Sequence, residues 1–355
     1  MQTIAPRLKL SYPDEGKRMK RLTLKDLAEM TGFSAATVSR ALNDHPRISR
    51  AAKNKIIETA KKVGYQPSLI ARGFREKKSY LIGLIIYDLK NSFHAAVTKN
   101  ILNEAQHEGY QVIIRSTLDL PSGIHEAIED LKRVGVDGII VTATRLEEKS
   151  LENLIKEKFP VVQVMRRLAK NTGVQIVPDG AYGINMLVNH LLRIGHRKIA
   201  MIGGPDDLFT AKTRYHGYYQ ALQENNVPLD ENLVLKGNTF SYDTGYKHCK
   251  IFLRRSSQPD AIVCADDHIA FGAMQTIDEA GISIPDDIAI VGFDDCEMSA
   301  HHRIQLTSVR YDMKQLSRLA VKNILAQIDG HIPDHKLIKI VPQLVVRMTC
   351  GYLKE

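Results

Sequence analysis

The sequence predicts an α/β fold fronted by a small helical unit, and three observations predict it. From Tyr80 onward, short apolar runs alternate with amphipathic stretches. Before them, some forty residues carry helical periodicity broken by short turns. The chain's entire positive excess lies in and around that helical segment.

The chain has 355 residues, 44% of them hydrophobic and 25% charged, enough for two or three domains of ordinary globular composition. No apolar run reaches the length of a membrane span, and residues 1–20 lack the apolar stretch of a secretory signal. The expected location is therefore the cytoplasm, with no membrane partner. Cys249, Cys264, Cys296 and Cys350 are widely spaced, form no CxxC pair and sit in no Cys/His cluster, so they read as free thiols and no metal site is expected. Residues 17–78 hold 16 Lys+Arg against 5 Asp+Glu, a net of +11, whereas residues 79–355 carry a net of −2. A compact basic segment suits a polyanion, because Lys and Arg displace counterions from phosphate.

Residues 1–18 show no clear periodicity, Met19 directly precedes the first patterned segment, and residues 1–20 are read as an N-terminal extension. A helix is expected from Leu24, with Thr23 as its cap, Asp26 completing a capping box, and Leu24, Leu27, Ala28 and Met30 as its apolar face. Thr31-Gly32-Phe33 breaks it, and Ser34 caps a second helix over 35–42. A third begins near Ser49, with Ala52, Ile56, Ala60 and Val63 at helical spacing, and Gly64 ends it. Residues 21–65 thus form a three-helix unit. Residues 66–79 read as a polar, basic linker with one short helical stretch over 68–74.

Beyond the linker, strands are expected at 81–86, 112–114, 138–141, 161–164, 199–202, 261–264 and 288–291. Helices are expected at 97–108, 181–193 and 270–280. Strand–helix alternation predicts parallel sheets covered on both faces. Some 275 residues exceed one sheet's needs, so two doubly wound subdomains are expected within 80–355.

The first two helices have the architecture of a helix-turn-helix, in which one helix braces a second that lies in the major groove of DNA. On the second, Val38, Ala41 and Leu42 face the bundle, while Ala35, Ala36, Thr37, Ser39 and Arg40 face outward. Arg40 can make a bidentate contact to guanine, and the two alanines an apolar contact to a thymine methyl.

The run from Leu22 to Asn43, Leu-Thr-Leu-Lys-Asp-Leu-Ala-Glu-Met-Thr-Gly-Phe-Ser-Ala-Ala-Thr-Val-Ser-Arg-Ala-Leu-Asn, is similar to the headpiece of the lactose/galactose repressor (LacI/GalR) family. Val63-Gly-Tyr-Gln-Pro-Ser68 and Ala71-Arg72 resemble that family's third-helix end and hinge. The resemblance carries DNA contact onto Thr23, Leu24, Ser34, Ala35, Ala36, Thr37, Ser39, Arg40, Asn43, Tyr65, Ser68, Ala71 and Phe74. It places Phe74 where the family has an apolar minor-groove wedge, usually leucine, and the preceding Gly73 disfavours hinge-helix formation.

The resemblance also implies that 80–355 is built like a periplasmic sugar-binding protein, with a small molecule held between two lobes. The chain is expected to cross between them near Pro178, Leu306 and Ile338, so the first lobe comprises 80–177 and 307–337, and the second 178–306 and 338–355. Thr210-Ala-Lys-Thr-Arg-Tyr-His-Gly-Tyr-Tyr-Gln-Ala-Leu222 is similar to the family's Arg-x-x-Gly-Tyr-x-x-Ala-Leu segment. Effector contact is thereby carried onto Thr210, Arg214, Phe240, Asp266 and Asp294, and first-lobe contact onto Phe93, His94 and Arg166. This chemistry suits a polyol: carboxylates accept from neighbouring hydroxyls, a guanidinium donates in a fixed fork, and an aromatic ring covers a pyranose face. Arg166 and Arg167 also suit an anion or a surface ion pair. A purine, a phosphorylated sugar or a partner protein stays open as the effector.

The expected function is transcriptional repression through a palindromic operator bound by a homodimer, controlled by a carbohydrate-like effector and needing no cofactor. The chain ends at Gly351-Tyr-Leu-Lys-Glu355, so no leucine-rich tetramer tail is expected. An α/β enzyme is the rival class, yet no GxGxxG follows the first strand, no Walker A motif occurs, and Gly203-Gly204-Pro205 reads as a turn. A transport binding protein would need a signal peptide and no basic headpiece.

Overall fold

The computed structural model describes residues 22–42, 44–65, 76–117, 123–170, 172–331 and 335–351. Asn43, Ser68, Ala71 and Phe74, and with them the expected hinge helix, lie outside the described residues. The chain divides into two compact units, Met1–Lys78 and Ser79–Glu355.

The first unit is a three-helix bundle of α1 (Leu24–Thr31), α2 (Ala35–Leu42) and α3 (Arg50–Lys62). Each start is set by a short polar cap. Thr23 N–H donates to Asp26 Oδ2 at 2.7 Å and Asp26 N–H to Thr23 Oγ1 at 3.3 Å, a reciprocal capping box. Thr37 N–H donates to Ser34 Oγ, and Ala52 N–H to Ser49 Oγ. Gly64, at φ +66°, ends α3, and Tyr65 N–H reaches back to Ala60 O at 2.9 Å, a Schellman closure. Leu27, Val38, Ala41, Ile56 and Ala60 form the buried core, bordered by Leu24, Phe33, Leu42 and Val63. Met30, expected on the apolar face of α1, is instead 53% exposed, because the burial arc is already filled by Leu27, Ala28 and Thr31.

The second unit contains two six-stranded sheets. In the first lobe, β1 (Leu81–Ile86), β2 (Gln111–Ser116), β3 (Gly138–Val141), β4 (Val161–Val164), β5 (Gly173–Pro178) and β11 (His335–Ile340) lie in the order β11-β5-β4-β3-β1-β2, all parallel. Parallel strands need covering on both faces. The alternation along β1 supplies this: Ile82, Leu84 and Ile86 share a core with α4 (Ser92–His107), while Ile85 turns to the core of α5 (Gly123–Val134) and α6 (Lys149–Lys156).

The second lobe repeats the plan. β6 (Ile199–Gly203), β7 (Val234–Lys236), β8 (Ala261–Cys264), β9 (Ala289–Phe293), β10 (Thr307–Arg310) and β12 (Gln343–Val345) lie in the order β12-β10-β9-β8-β6-β7, with β12 antiparallel to β10. Its helices are α7 (Gly180–Arg193), α8 (Phe209–Glu224), α9 (Tyr242–Leu253) and α10 (Asp267–Glu279). A final helix, α11 (Met313–Ile328), returns to pack on α4 and on β3, β4 and β5 of the first lobe. α7 and α8 approach closely at Gly217, where a Cβ would collide with the Ala181 carbonyl oxygen.

The crossings differ from expectation in two places. β10 pairs with β9 through Thr307↔Val291 and Val309↔Phe293, so the second crossing follows Arg310, not Leu306. β11 pairs with β5 as far as Ile340↔Pro178, so the third follows Ile340, not Ile338. The interior of β10 is polar: Thr307 and Ser308 are fully buried through hydrogen bonds to Arg347 O and Asp267 Oδ1, which hides the strand from a hydropathy reading.

In both sheets the strand order reverses beside the first strand, between β1 and β3 and between β6 and β8. Such a reversal opens a crevice beyond the carboxyl ends of the strands.

Candidate functional site

Two surfaces carry the residues singled out in the sequence. On the first unit, Thr23, Ser34, Ala35, Ala36 and Arg40 are exposed, and Leu24, Thr37, Ser39 and Tyr65 are half-buried. The Ser34 cap also bonds Thr37 Oγ1 at 2.9 Å, fixing the first turn of α2. Val38 and Ala41 are buried beneath it, so the N-terminal residues of α2 form a small, polar, cationic face on a rigid support.

The second surface is the crevice of the α/β unit. All eight effector residues expected from the sequence line it: Phe93, His94 and Arg166 from the first lobe, and Thr210, Arg214, Phe240, Asp266 and Asp294 from the second. Tyr87, Asn91, Met165, Pro205, Leu208 and Thr239 complete the lining. Each follows the carboxyl end of a strand, a positional signal that would have found them once the strands were placed.

The segment after β1 supplies Tyr87 and Asn91; Asn91 Oδ1 accepts from Phe93 N–H at 2.9 Å and so starts α4, which presents Phe93 and His94. Phe240 lies over Gly204, where any Cβ would strike its ring. Arg214, near the start of α8, is 4% exposed. Its Nη1 donates to Ala265 O at 2.5 Å and its Nη2 to Asp294 Oδ1 at 3.0 Å. The guanidinium carbon lies 3.9 Å from the Phe293 ring centroid and 5.6 Å from that of Phe240. Arg214 Nε and Thr210 Oγ1 are buried without a protein partner. Leaving a buried donor or hydroxyl unmatched costs about 1–3 kcal/mol, which a polar ligand in the crevice would recover.

Asp266 caps α10, accepting from Ile269 N–H at 2.8 Å. Asp294 sits at φ +106°, outside the usual range of a non-glycine residue, and its N–H is held by Val309 O at 2.8 Å. Burial pushes Asp266 up to about 6, against the pull of the Ile269 amide, Arg214 and Arg166. Burial, with repulsion from Asp266, pushes Asp294 up to about 7 despite Arg214. His94 is driven down to about 3 by burial and then by Arg166 and His268, so its imidazole is neutral.

Neighbouring residues of the same type face elsewhere. Asp267 accepts from Ser299 Oγ and Ser308 Oγ at 2.6 Å and from Cys296 N–H at 2.8 Å, tying α10 to β10. Asp295 is clamped by Arg310 and Arg347, each at 2.6 Å. Arg167 donates to Leu168 O and Gln175 Oε1 and lies 4.0 Å from the Phe209 ring centroid. The four cysteines are buried free thiols. Among the described residues no group of three His, Cys, Asp or Glu is placed to hold a metal ion, and no helix is long and apolar enough to cross a membrane.

Comparison with known proteins agrees with this division. Residues 23–68 match the family described as bacterial regulatory proteins, lacI family, and residues 188–350 match the periplasmic binding protein-like domain. The HTH-type transcriptional repressor PurR of Haemophilus influenzae (strain PittEE) is 28% identical over 329 residues, 92% of this chain and 97% of that protein. Catabolite control protein A of Priestia megaterium is 27% identical over 329 residues, 92% of this chain and 99% of its own length. The crystal structure of the Lac repressor dimer bound to operator and the anti-inducer ONPF superposes with a TM-score of 0.81 at 25% identity, covering 93% of this chain and 99% of that one. With residues 23–68 matching the DNA-binding domain of the lacI family of bacterial regulatory proteins, in front of a periplasmic binding protein-like domain, the chain is a transcription regulator.

Proposed function

We propose that this regulator is a cytoplasmic repressor that binds a palindromic operator as a homodimer and changes its affinity when a sugar or sugar derivative occupies the crevice of the α/β unit. One observation carries the reading: a basic helix-turn-helix unit and a crevice lined for a polyol occur in the same chain. Asp266 and Asp294 accept from ligand hydroxyls, Arg214 Nε and Thr210 Oγ1 find their missing partner, and Phe240 covers an apolar ring face. Ala35, Ala36, Thr37, Ser39 and Arg40 read base edges, while the net +11 of residues 17–78 supplies phosphate affinity. Both crevice carboxylates are engaged, one as a helix cap and one as an ion-pair partner, which supports binding and not catalysis.

Effector control then follows as ligand-linked redistribution between a form with high operator affinity and a form with low affinity, the crevice closing on its ligand in the latter. Fluorescence anisotropy of DNA from upstream of the protein's own gene, at fixed salt and with a panel of sugars, tests this. The expected result is tight, selective binding that one sugar weakens. Arg214→Ala should abolish the response while retaining operator selectivity. Binding no tighter than to random DNA of equal length would refute the operator reading.

A further inference from the structure

Tyr311 lies behind the crevice, where the two lobes meet. It is the first residue after β10, at the start of the second crossing. Its ring centroid is 6.3 Å from that of Phe93, edge-on, and 6.3 Å from that of Phe293. Phe93 belongs to the first-lobe wall of the crevice and Phe293 to β9 of the second lobe. Tyr311 therefore packs against both lobes at the point where the chain passes from one to the other.

Packing alone does not account for the hydroxyl. Tyr311 is buried, and its Oη completes no hydrogen bond in the structure. A phenylalanine would fill the same space without burying an unmatched polar group. The group beside the hydroxyl is Asp294. Burial, and then the charge of Asp294, raises the Tyr311 phenol, so it stays protonated and able to donate.

Asp294 has room for such a donor. A carboxylate offers about four acceptor positions, and Arg214 Nη2 takes one of them, on Oδ1 at 3.0 Å. The strand that leads into Tyr311 also anchors Asp294, because Val309 O accepts the Asp294 N–H at 2.8 Å. β10 thus sets the carboxylate and the hydroxyl together. Arg214, from α8, attracts the Asp294 charge, whereas Asp266 and Asp267, at the start of α10, repel it. A second donor is what the ionised form lacks.

We propose that Tyr311 is a positioning residue for the effector: when a sugar fills the crevice, its hydroxyl donates to Asp294, so that the carboxylate is held ionised between Arg214 and Tyr311 with its remaining lone pairs turned to the sugar hydroxyls. The inference rests on the reading of the crevice as a sugar site. Phe93, which borders both the crevice and the Tyr311 ring, ties formation of that bond to occupancy of the crevice.

Isothermal titration calorimetry of the full chain at pH 8 and pH 6 tests this, with glucose, galactose, ribose, fructose, glucuronate and N-acetylglucosamine. Tyr311→Phe, which keeps the ring, should weaken the tightest-binding of these sugars about 10- to 100-fold at pH 8, the range of one hydrogen bond to a charged group. The loss should shrink several-fold at pH 6, where a protonated Asp294 gains less from the donor. In an Asp294→Asn background the same substitution should change affinity less than about 3-fold, because the charge that the hydroxyl serves is gone. An equal loss at both pH values, a full loss in the Asp294→Asn background, or no loss at all overturns the role of Tyr311 and leaves the sugar reading standing. No binding of any of the six sugars to the native chain overturns the sugar reading, and this inference with it.

Discussion

Three pairs of identical neighbours, Asp266/Asp267, Asp294/Asp295 and Arg166/Arg167, show how environment divides the work of like side chains. One member of each pair lines the crevice, and the other braces it. The residue types were legible in the sequence, since acids and bases after strand ends are what a crevice site requires. The division within each pair was not fully legible, because it depends on which side of a turn each residue occupies, and positive φ at Met165, Asp294 and Asp295 sets that.

Asp294 makes a pH prediction. Burial pushes its carboxyl up to about 7, and ligand hydroxyls donate more strongly to the ionised form, so binding draws the proton off. Effector affinity should therefore be full at pH 8 and fall about tenfold by pH 6 as protonation competes. Asp294→Asn should bind more weakly and lose this slope; an unchanged slope in the variant would move the titration to another group. On the other unit, Arg40→Ala should cost about 1–3 kcal/mol of discrimination at one operator base pair. Binding to a set of single-base operator variants measures it, and an unchanged preference at every position would remove Arg40 from base reading.

Among the elements, hydrophobic periodicity found the interiors of helices and missed their first turns. α4 starts at Ser92 where periodicity suggested 97, and α10 at Asp267 where it suggested 270. The missing turns begin at the polar caps Asn91 and Asp266, and they hold Phe93 and His94. Short apolar strands such as β8 were plain, whereas β10 was masked by its buried Thr307 and Ser308. In the bundle the caps were legible because Thr23 and Asp26 stand in capping-box spacing. Thr23→Ala should lower headpiece stability by about 1 kcal/mol, read as a lower Tm of its unfolding transition.

The loop after β6 also bridges the lobes. Asp207 pairs with Arg145 and accepts Leu146 N–H at 3.0 Å through its carbonyl, while Phe209 stacks under Arg167. The ion pair is half-exposed and the backbone bond survives side-chain truncation. Asp207→Ala should thus raise effector dissociation only about 2- to 5-fold, as an exposed pair worth up to about 1 kcal/mol allows. Stopped-flow release measures this, and an unchanged rate would show that the pair does not hold the crevice shut.

At the scale of the whole molecule, charge segregation is the most legible feature. Residues 17–78 carry a net of +11, and residues 79–355 a net of −2, so one unit is suited to a polyanion and the other is not. The lobe plan was visible in strand–helix alternation, but the two later crossings were displaced, because nothing in local hydropathy says which sheet a strand joins. Coupling between units is a property of the complete chain. It is reciprocal: whatever factor the effector takes from operator affinity, the operator must take from effector affinity. Ligand control of operator binding is tested by that cycle, with operator Kd determined with and without saturating effector, and effector Kd with and without saturating operator, in one buffer. The two factors should be equal and well above one. Selective operator binding and effector binding with both factors equal to one would contradict such control.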